Sequence, residues 1–202
     1  MQRQLTQRGQ ERKAQLVSFA IKAFAQNGYH TTSVADIVDG VGVGKGVFYW
    51  YFSSKEELFI EILRTSQRDM RRRQQREIRG VEDPLDRIDL GIRAAVLWFA
   101  ENDDLRRLLE FARNESTFAS AVHHGQKVLV EDARTHIEEG IKEGRIPPRD
   151  PEALALAMLA VANQLTQVYI SERNEDPEVV ADTVAEFCRG GLGMSPEFRQ
   201  RP

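Results

Sequence analysis

With 202 residues, 41% of them hydrophobic and 29% charged, the chain has the length and composition of one large or two small globular domains, which excludes wholesale disorder and fibrous repeats. The net charge of −3 excludes a uniformly basic surface, yet residues 1–80 hold 14 Lys+Arg against 8 Asp+Glu, a balance of +6, and residues 81–202 hold 14 against 23, a balance of −9. Cys188 is the single cysteine, which rules out an internal disulfide and any multi-cysteine zinc site and fits a reducing cytosol.

The amino terminus, "MQRQLTQRGQERK", has no apolar stretch of the signal-peptide kind. The longest apolar run, "ALALAMLAVA" from Ala153 to Ala162, falls short of the roughly 18 residues needed to cross a bilayer. A soluble cytoplasmic protein with no membrane partner is expected.

Helical spacing dominates the chain, and strand-like alternation is nearly absent. Val17, Ala20, Ile21 and Phe24 make one apolar stripe; Leu58, Phe59, Ile62 and Leu63 make another; Leu85, Ile88, Ile92, Val96 and Phe99 make a third. "NGYHTTS" (27–33) stops a helix at Asn-Gly and starts the next at Thr32 or Ser33, with Asp36 placed to close a capping box on Ser33. Three Asp-Pro pairs, at 83, 150 and 176, each set proline in a first helical turn behind an aspartate cap. An all-α fold follows, with about nine helices near 8–27, 33–40, 44–51, 54–79, 84–101, 103–116, 118–143, 151–173 and 177–190.

"GVGVGKGVFYWYFSSKEEL" (40–58) carries the chemistry. Two short helices joined by a three-residue turn make a helix-turn-helix, whose second helix can enter the DNA major groove. Val34, Ile37, Val38 and Val41 give the first helix its apolar face, Gly42 permits the turn, and Val43 with Phe48 pins the second helix. Phe48 and Phe52, four apart, face the core; "FYWYF" cannot point inward as a whole at ~100° per residue, so Lys45, Val47, Tyr49, Trp50 and Tyr51 share the outer faces. Lysine donates to guanine or phosphate, valine touches a thymine methyl, and tyrosine hydroxyls donate to phosphate. Ser53 or Ser54 caps the fourth helix, whose first amides, with Lys55, can hold a further phosphate.

Through Phe24, Gly28, Tyr29, Thr32, Val34, Ile37, Gly42, Val43, Gly46, Phe48, Tyr49, Tyr51, Phe52, Lys55 and Leu58, this stretch resembles the TetR family of transcriptional regulators. The resemblance implies a DNA-binding domain over 1–55, a fourth helix (54–79) leading onward, and a ligand-binding and dimerisation domain over 56–202. It makes Thr32, Tyr49, Tyr51 and Lys55 phosphate contacts and Lys45, Gly46, Val47 and Trp50 the residues that face bases. Ser33 and Gly44, at the caps of the two helices, complete the DNA-binding set; Gly44 stands where the family usually has serine or threonine, so one hydroxyl contact is missing.

The resemblance further implies a homodimer on a double-stranded palindromic operator, most simply a repressor released by a small, lipophilic inducer, with no cofactor; a protein-interaction role for the bundle is the alternative. "PEALALAMLAVANQLTQVYI" is apolar nearly all round, as a helix packed on both a core and a partner must be, and the helix of Val179, Val180, Val184 and Phe187 would share that interface. Trp98, Phe99, Phe111, Asn114, Phe118, Asn163, Gln167 and Tyr169 are the candidates for lining an apolar ligand pocket with a few polar groups.

Other features have plainer readings. The seven arginines between 64 and 79 form a solvated helix face, with attraction of DNA or of an anionic ligand as the sharper option. Arg3, Arg8, Arg12 and Lys13 are either a disordered arm or a minor-groove arm. His123 and His124 point ~100° apart and have no ligand partners at metal spacing, so no metal site is expected. An enzyme is not expected either: no nucleophile–base motif occurs, and the glycines at 40–46 lack the Gly-Lys-Ser/Thr ending of a phosphate loop.

Overall fold

The computed structural model of the chain describes residues 6–193, so Arg3 lies outside the described residues. Among the described residues nine α-helices run in the expected order: α1 Gln7–Asn27, α2 Val34–Val41, α3 Lys45–Tyr51, α4 Lys55–Glu77, α5 Pro84–Glu101, α6 Asp103–Asn114, α7 Ala119–Lys142, α8 Pro151–Leu165 and α9 Pro177–Gly191. A 3-10 turn, Ser116–Phe118, precedes α7, and a π-helical segment, Thr166–Glu172, continues α8. No strand occurs among the described residues. Arg8, Arg12 and Lys13 belong to α1 rather than to an arm, and Lys13 pairs with Glu61 at 2.7 Å.

The helices collect into two compact units. The first takes residues up to 66 together with 104–122; the second takes 67–103 and the chain from 123 onward. The helix-turn-helix unit is therefore completed by a segment that comes about forty residues after its main part.

In the first unit, Leu16, Ala20, Ala23 and Phe24 on α1 repeat at three- and four-residue spacing and are buried. The α2 capping box forms as the sequence predicts: Ser33 Oγ accepts from the Asp36 N–H, and the Asp36 carboxylate accepts from the Ser33 N–H at 2.8 Å. These bonds hold the Asp36 carboxyl below its ordinary range. Gly42 ends α2 in the left-handed region, φ 71°, where a side chain is strained, and its N–H reaches the carbonyls of Val38 and Asp39. Gly40 lets α2 lie against α1, since a Cβ there would stand 1.9 Å from the Phe19 ring.

An aromatic cluster fills the centre of this unit. Phe59 of α4 and Phe118 of the 3-10 turn stack with centroids 4.3 Å apart, and Tyr29 packs among Phe24, Phe59, Phe111 and Phe118 at 5.1–5.5 Å. Phe118 is fully buried.

In the second unit all three Asp-Pro pairs act as predicted. Asp83, Asp150 and Asp176 accept from the backbone N–H two residues on, at 2.8–2.9 Å, each followed by its proline. Leu85, Ile88 and Val96 of α5 pack with Ile137 of α7, Ala155 and Met158 of α8, and Val180, Val184 and Cys188 of α9. Asp89 on α5 accepts from Arg93 and from Arg189 on α9, while Arg93 also bonds Asp182, which ties the two helices along their polar edge.

Continuous helix from Pro151 to Glu172 makes 22 residues, strongly apolar and with few of them buried within the chain. By length and composition alone this segment passes for a membrane span, which the shorter apolar run read from the sequence does not. Besides Glu152 and Glu172 at its ends, its exposed residues, Ala153, Leu156, Ala157, Ala160 and Gln164, follow one face, opposite the buried Ala155, Met158 and Thr166.

Candidate nucleic-acid interface

Helix α3 is built to expose its aromatics. Phe48 and Phe52 are buried, 0% and 2% exposed, and anchor the helix; the intervening positions turn outward, leaving Tyr49 56% and Trp50 55% exposed. Lys45, Gly44 and Gly46 are exposed too, and a Cβ at either glycine would meet nothing within 4 Å, so the surface is open there. Val47 and Tyr51 are half-buried, and Tyr51 packs edge-on against Trp50 at 4.6 Å. Gly44 caps α3 with no side-chain bond, and its carbonyl accepts the Val47 N–H at 2.9 Å. Lys45, Gly46, Val47, Tyr49, Trp50 and Tyr51 thus share one short helix, with the large exposed rings side by side.

Two expected phosphate contacts, Thr32 and Lys55, and Ser33 of the expected DNA-binding set bond within the chain. Thr32 is buried, and its hydroxyl donates to the carbonyls of Gly28 (2.8 Å) and Ala23 (3.3 Å), so that hydroxyl is not presented to a phosphate. Lys55 Nζ donates to the carbonyls of Tyr29 (2.7 Å) and Thr32 (2.9 Å) and lies 4.3 Å from the centre of the Tyr29 ring. The ammonium therefore closes the α1–α2 turn instead of reaching out. Ser33 Oγ donates to the Asp36 carboxylate at 2.7 Å. At the start of α4, Ser53 N–H and Oγ both donate to Glu57, and the Glu57 N–H goes to Ser54 Oγ; the Ser53 bonds hold the Glu57 carboxyl below its ordinary range. The Glu57 N–H, one of the first α4 amides that the sequence offered to a phosphate, is thus bonded within the chain.

Tyr29, read from the sequence only as part of a motif, organises this region. Its hydroxyl donates to Glu56 at 3.1 Å, and burial, followed by that bond, pushes its pKa far above the usual phenol range. Next to it, His30 and Glu115 pair at 3.2 Å. The partners of Tyr29 come from residues 24 to 118, a contact set that no local signal announces.

The proposed ligand residues divide between the units. Phe111 on α6 and Phe118 on the 3-10 turn pack on Phe59 in the aromatic core of the first unit; Asn114, exposed on the same segment, donates to the Glu110 carbonyl at 3.0 Å. Trp98, Phe99, Asn163, Gln167 and Tyr169 lie in the second unit. Trp98 is buried there, donates to Asp69 at 3.1 Å and packs edge-on to Phe99; Tyr169 faces the Arg173 guanidinium at 4.6 Å. Along α4, Arg71 pairs with Asp132 and Arg73 with Glu101, while Arg72 and Arg76, and Arg79 in the turn that follows, stand exposed. His123 and His124 are exposed on α7.

Comparison with known proteins decides the family. Residues 16–62 match the family described as bacterial regulatory proteins, tetR family, and residues 81–192 match the tetracyclin repressor-like C-terminal domain, together well over half of the chain. This chain belongs to the TetR family of transcriptional regulators. It is 33% identical over 194 residues to the HTH-type transcriptional regulator YhgD of Bacillus subtilis, across 92% of this chain and 98% of that protein. Against the HTH-type transcriptional activator FasR of Mycolicibacterium smegmatis the identity is 25% over 191 residues, 94% of this chain and 86% of FasR. The crystal structure of the regulator FadR from Bacillus subtilis, in complex with stearoyl-CoA, superposes with a TM-score of 0.81 at 20% identity, covering 89% of this chain and 98% of that one. TetR regulators bind DNA and homodimerise, and some bind acyl-CoA ligands, as FadR does in that structure.

Proposed function

We propose that this TetR regulator is a homodimeric repressor that grips a palindromic operator through α3 and releases it when a lipophilic ligand of the acyl-thioester class enters the second unit. The observation that carries the DNA half is the exposure of Tyr49 and Trp50 beside Lys45 on a helix anchored by Phe48 and Phe52. A soluble domain has no packing reason to leave two large rings open side by side, whereas a groove offers them phosphates and base edges. Lys45, Gly46, Val47 and Trp50 face bases, and Tyr49 and Tyr51 donate to phosphates. Thr32, Lys55 and the α4 cap hold the recognition helix at its angle.

The dimer half rests on a second exposed stripe. Ala153, Leu156, Ala157, Ala160 and Gln164 on α8 and Val179, Thr183 and Phe187 on α9 are exposed, Phe187 by 62%, and the two helices pack together within the unit. Small residues beside Leu156 and Phe187 suit close approach of the same face from a second copy, which explains an apolar helix left open in the single chain. Two recognition helices would then read half-sites about 34–36 Å apart or somewhat more. Support for the ligand class comes from FadR, a protein of the same fold seen with stearoyl-CoA.

Selection of binding sites from random duplexes at ~0.15 M salt tests the DNA half, because non-specific phosphate binding is weak there. An inverted repeat should emerge, bound by two chains. Enrichment of no repeat, or of a single half-site bound by one chain, would overturn the proposal.

A further inference from the structure

Three hydroxyls inside the helices bond back to a carbonyl one turn earlier: Ser66 to Ile62 at 2.9 Å, Thr135 to Glu131 at 3.0 Å and Thr183 to Val179 at 2.9 Å. Thr166 and Ser171 do not. Thr166 is 3% exposed, and Thr166 Oγ1 and Ser171 Oγ are both buried without a hydrogen-bond partner within the chain. Leaving a buried hydroxyl unpaired is costly, and here two occur within six residues on an otherwise apolar helix.

These two residues lie in the π-helical segment, Thr166–Glu172. A π-helix bonds residue i+5 back to residue i, so positions 166 and 171 stand one widened turn apart, on the same side. Regular α-helix would rotate Ser171 well away from Thr166. The widened turn packs against α5 and α9 of its own unit, with Leu165, Tyr169 and Ile170 resting on the apolar core. It thus sets two hydroxyls without a partner in the chain on one side of a segment that rests on the apolar core, which suits one placed polar contact to an otherwise apolar ligand.

We infer that the π-turn is the polar end of the ligand site, with Thr166 and Ser171 taking a neutral oxygen of the ligand, a thioester or ester carbonyl. Two neutral hydroxyls can donate to a carbonyl but supply no charge to balance a free carboxylate, so the site discriminates an acyl thioester from a fatty acid. This inference deepens the acyl-thioester reading and rests on it.

Thr166→Val keeps the shape and removes the hydroxyl, and Ser171→Ala does the same at the second position. Two measurements on the full-length protein decide. In the ligand-free protein at fixed concentration, Thr166→Val should raise Tm by ~2–4 °C, because it replaces an unpaired buried hydroxyl by a methyl. A fall in Tm would mean that the hydroxyl holds a structural bond, and would overturn the inference. In operator release, the double variant should need ~10-fold or more stearoyl-CoA, the size of one lost hydrogen bond. The wild type should also prefer stearoyl-CoA over its S-octadecyl thioether analogue, which lacks the carbonyl, and the double variant should lose that preference. Equal release of both proteins by stearoyl-CoA would remove Thr166 and Ser171 from the site. If stearoyl-CoA failed to release even the wild type, the acyl-thioester reading would fall, and the thermal measurement would still decide whether the hydroxyls are unpaired.

Discussion

Phe118→Ala tests whether the segment 104–122 is part of the DNA-binding unit or part of a ligand pocket. Phe118 is 0% exposed, stacks on Phe59 at 4.3 Å and meets Tyr29 edge-on at 5.2 Å, so truncation removes a whole ring from a close-packed centre. Losses for a buried phenylalanine run to about 3–5 kcal/mol, a large share of the ~5–15 kcal/mol that holds a domain together. The two tryptophans lie one in each unit, Trp50 in the first and Trp98 in the second. In a Trp98→Phe background, Trp50 fluorescence therefore reports the first unit alone during urea unfolding at fixed protein concentration. Phe118→Ala should lower the midpoint of that unit strongly and weaken operator binding, although residue 118 is far in sequence from α3. Phe118→Leu should cost less than about 1.5 kcal/mol, since most of the volume is kept. An unchanged midpoint together with altered ligand response would refute the core assignment and return Phe118 to the pocket.

Other consequences can be checked in parallel. Lys45→Ala should weaken operator binding and relax the base preference at the position it faces, while Tyr49→Phe should weaken binding to all sequences alike with the fold intact; anisotropy on the selected and base-substituted duplexes reads both. Phe187→Asp or Leu156→Glu should convert the dimer to monomer in sedimentation velocity and, with it, abolish tight operator binding. Burial raises the Asp89 pKa, but the bonds from Arg93 and Arg189 outweigh it and leave the carboxyl below its usual value. A depressed folded pKa contributes stability that is present above the unfolded value, ~3.9, and is lost as pH falls through the folded one. Thermal melts of Asp89→Asn between neutral pH and ~3 should therefore lose less stability on acidification than the wild type, from a lower starting point. Lys55→Met should destabilise the protein even without DNA, by leaving the carbonyls of Tyr29 and Thr32 unpaired, at a cost of about 1.5–3 kcal/mol for a charge-assisted interaction.

The helices and their caps were legible because their causes are local. Ser33 with Asp36, Gly42, and the aspartates before Pro84, Pro151 and Pro177 are signals within four residues, and each acts in the structure as its chemistry predicts. The outward turn of Tyr49 and Trp50 was legible too, from the angular spacing around Phe48 and Phe52. The folding of Phe111 and Phe118 into the first unit was not, because the apolar pattern of α6 marks a buried face without saying which neighbour covers it. The inward turn of Lys55 and Thr32 escaped for a related reason: a lysine or threonine near a helix start suits a phosphate and a backbone carbonyl equally well, and only the path of the Gly28–Thr32 turn selects the carbonyl. The π-turn escaped entirely, since "TQVYISE" carries no breaker and continues the apolar pattern of α8.

Fluorescence anisotropy of the selected palindrome, with stearoyl-CoA titrated in at ~0.15 M salt, tests the account most directly. One dimer should bind tightly to the palindrome, with no comparable binding to a scrambled duplex, and should be fully released at micromolar stearoyl-CoA but not at equal stearate. Equal, weak binding to both duplexes, or a complex that stearoyl-CoA leaves untouched, would contradict it.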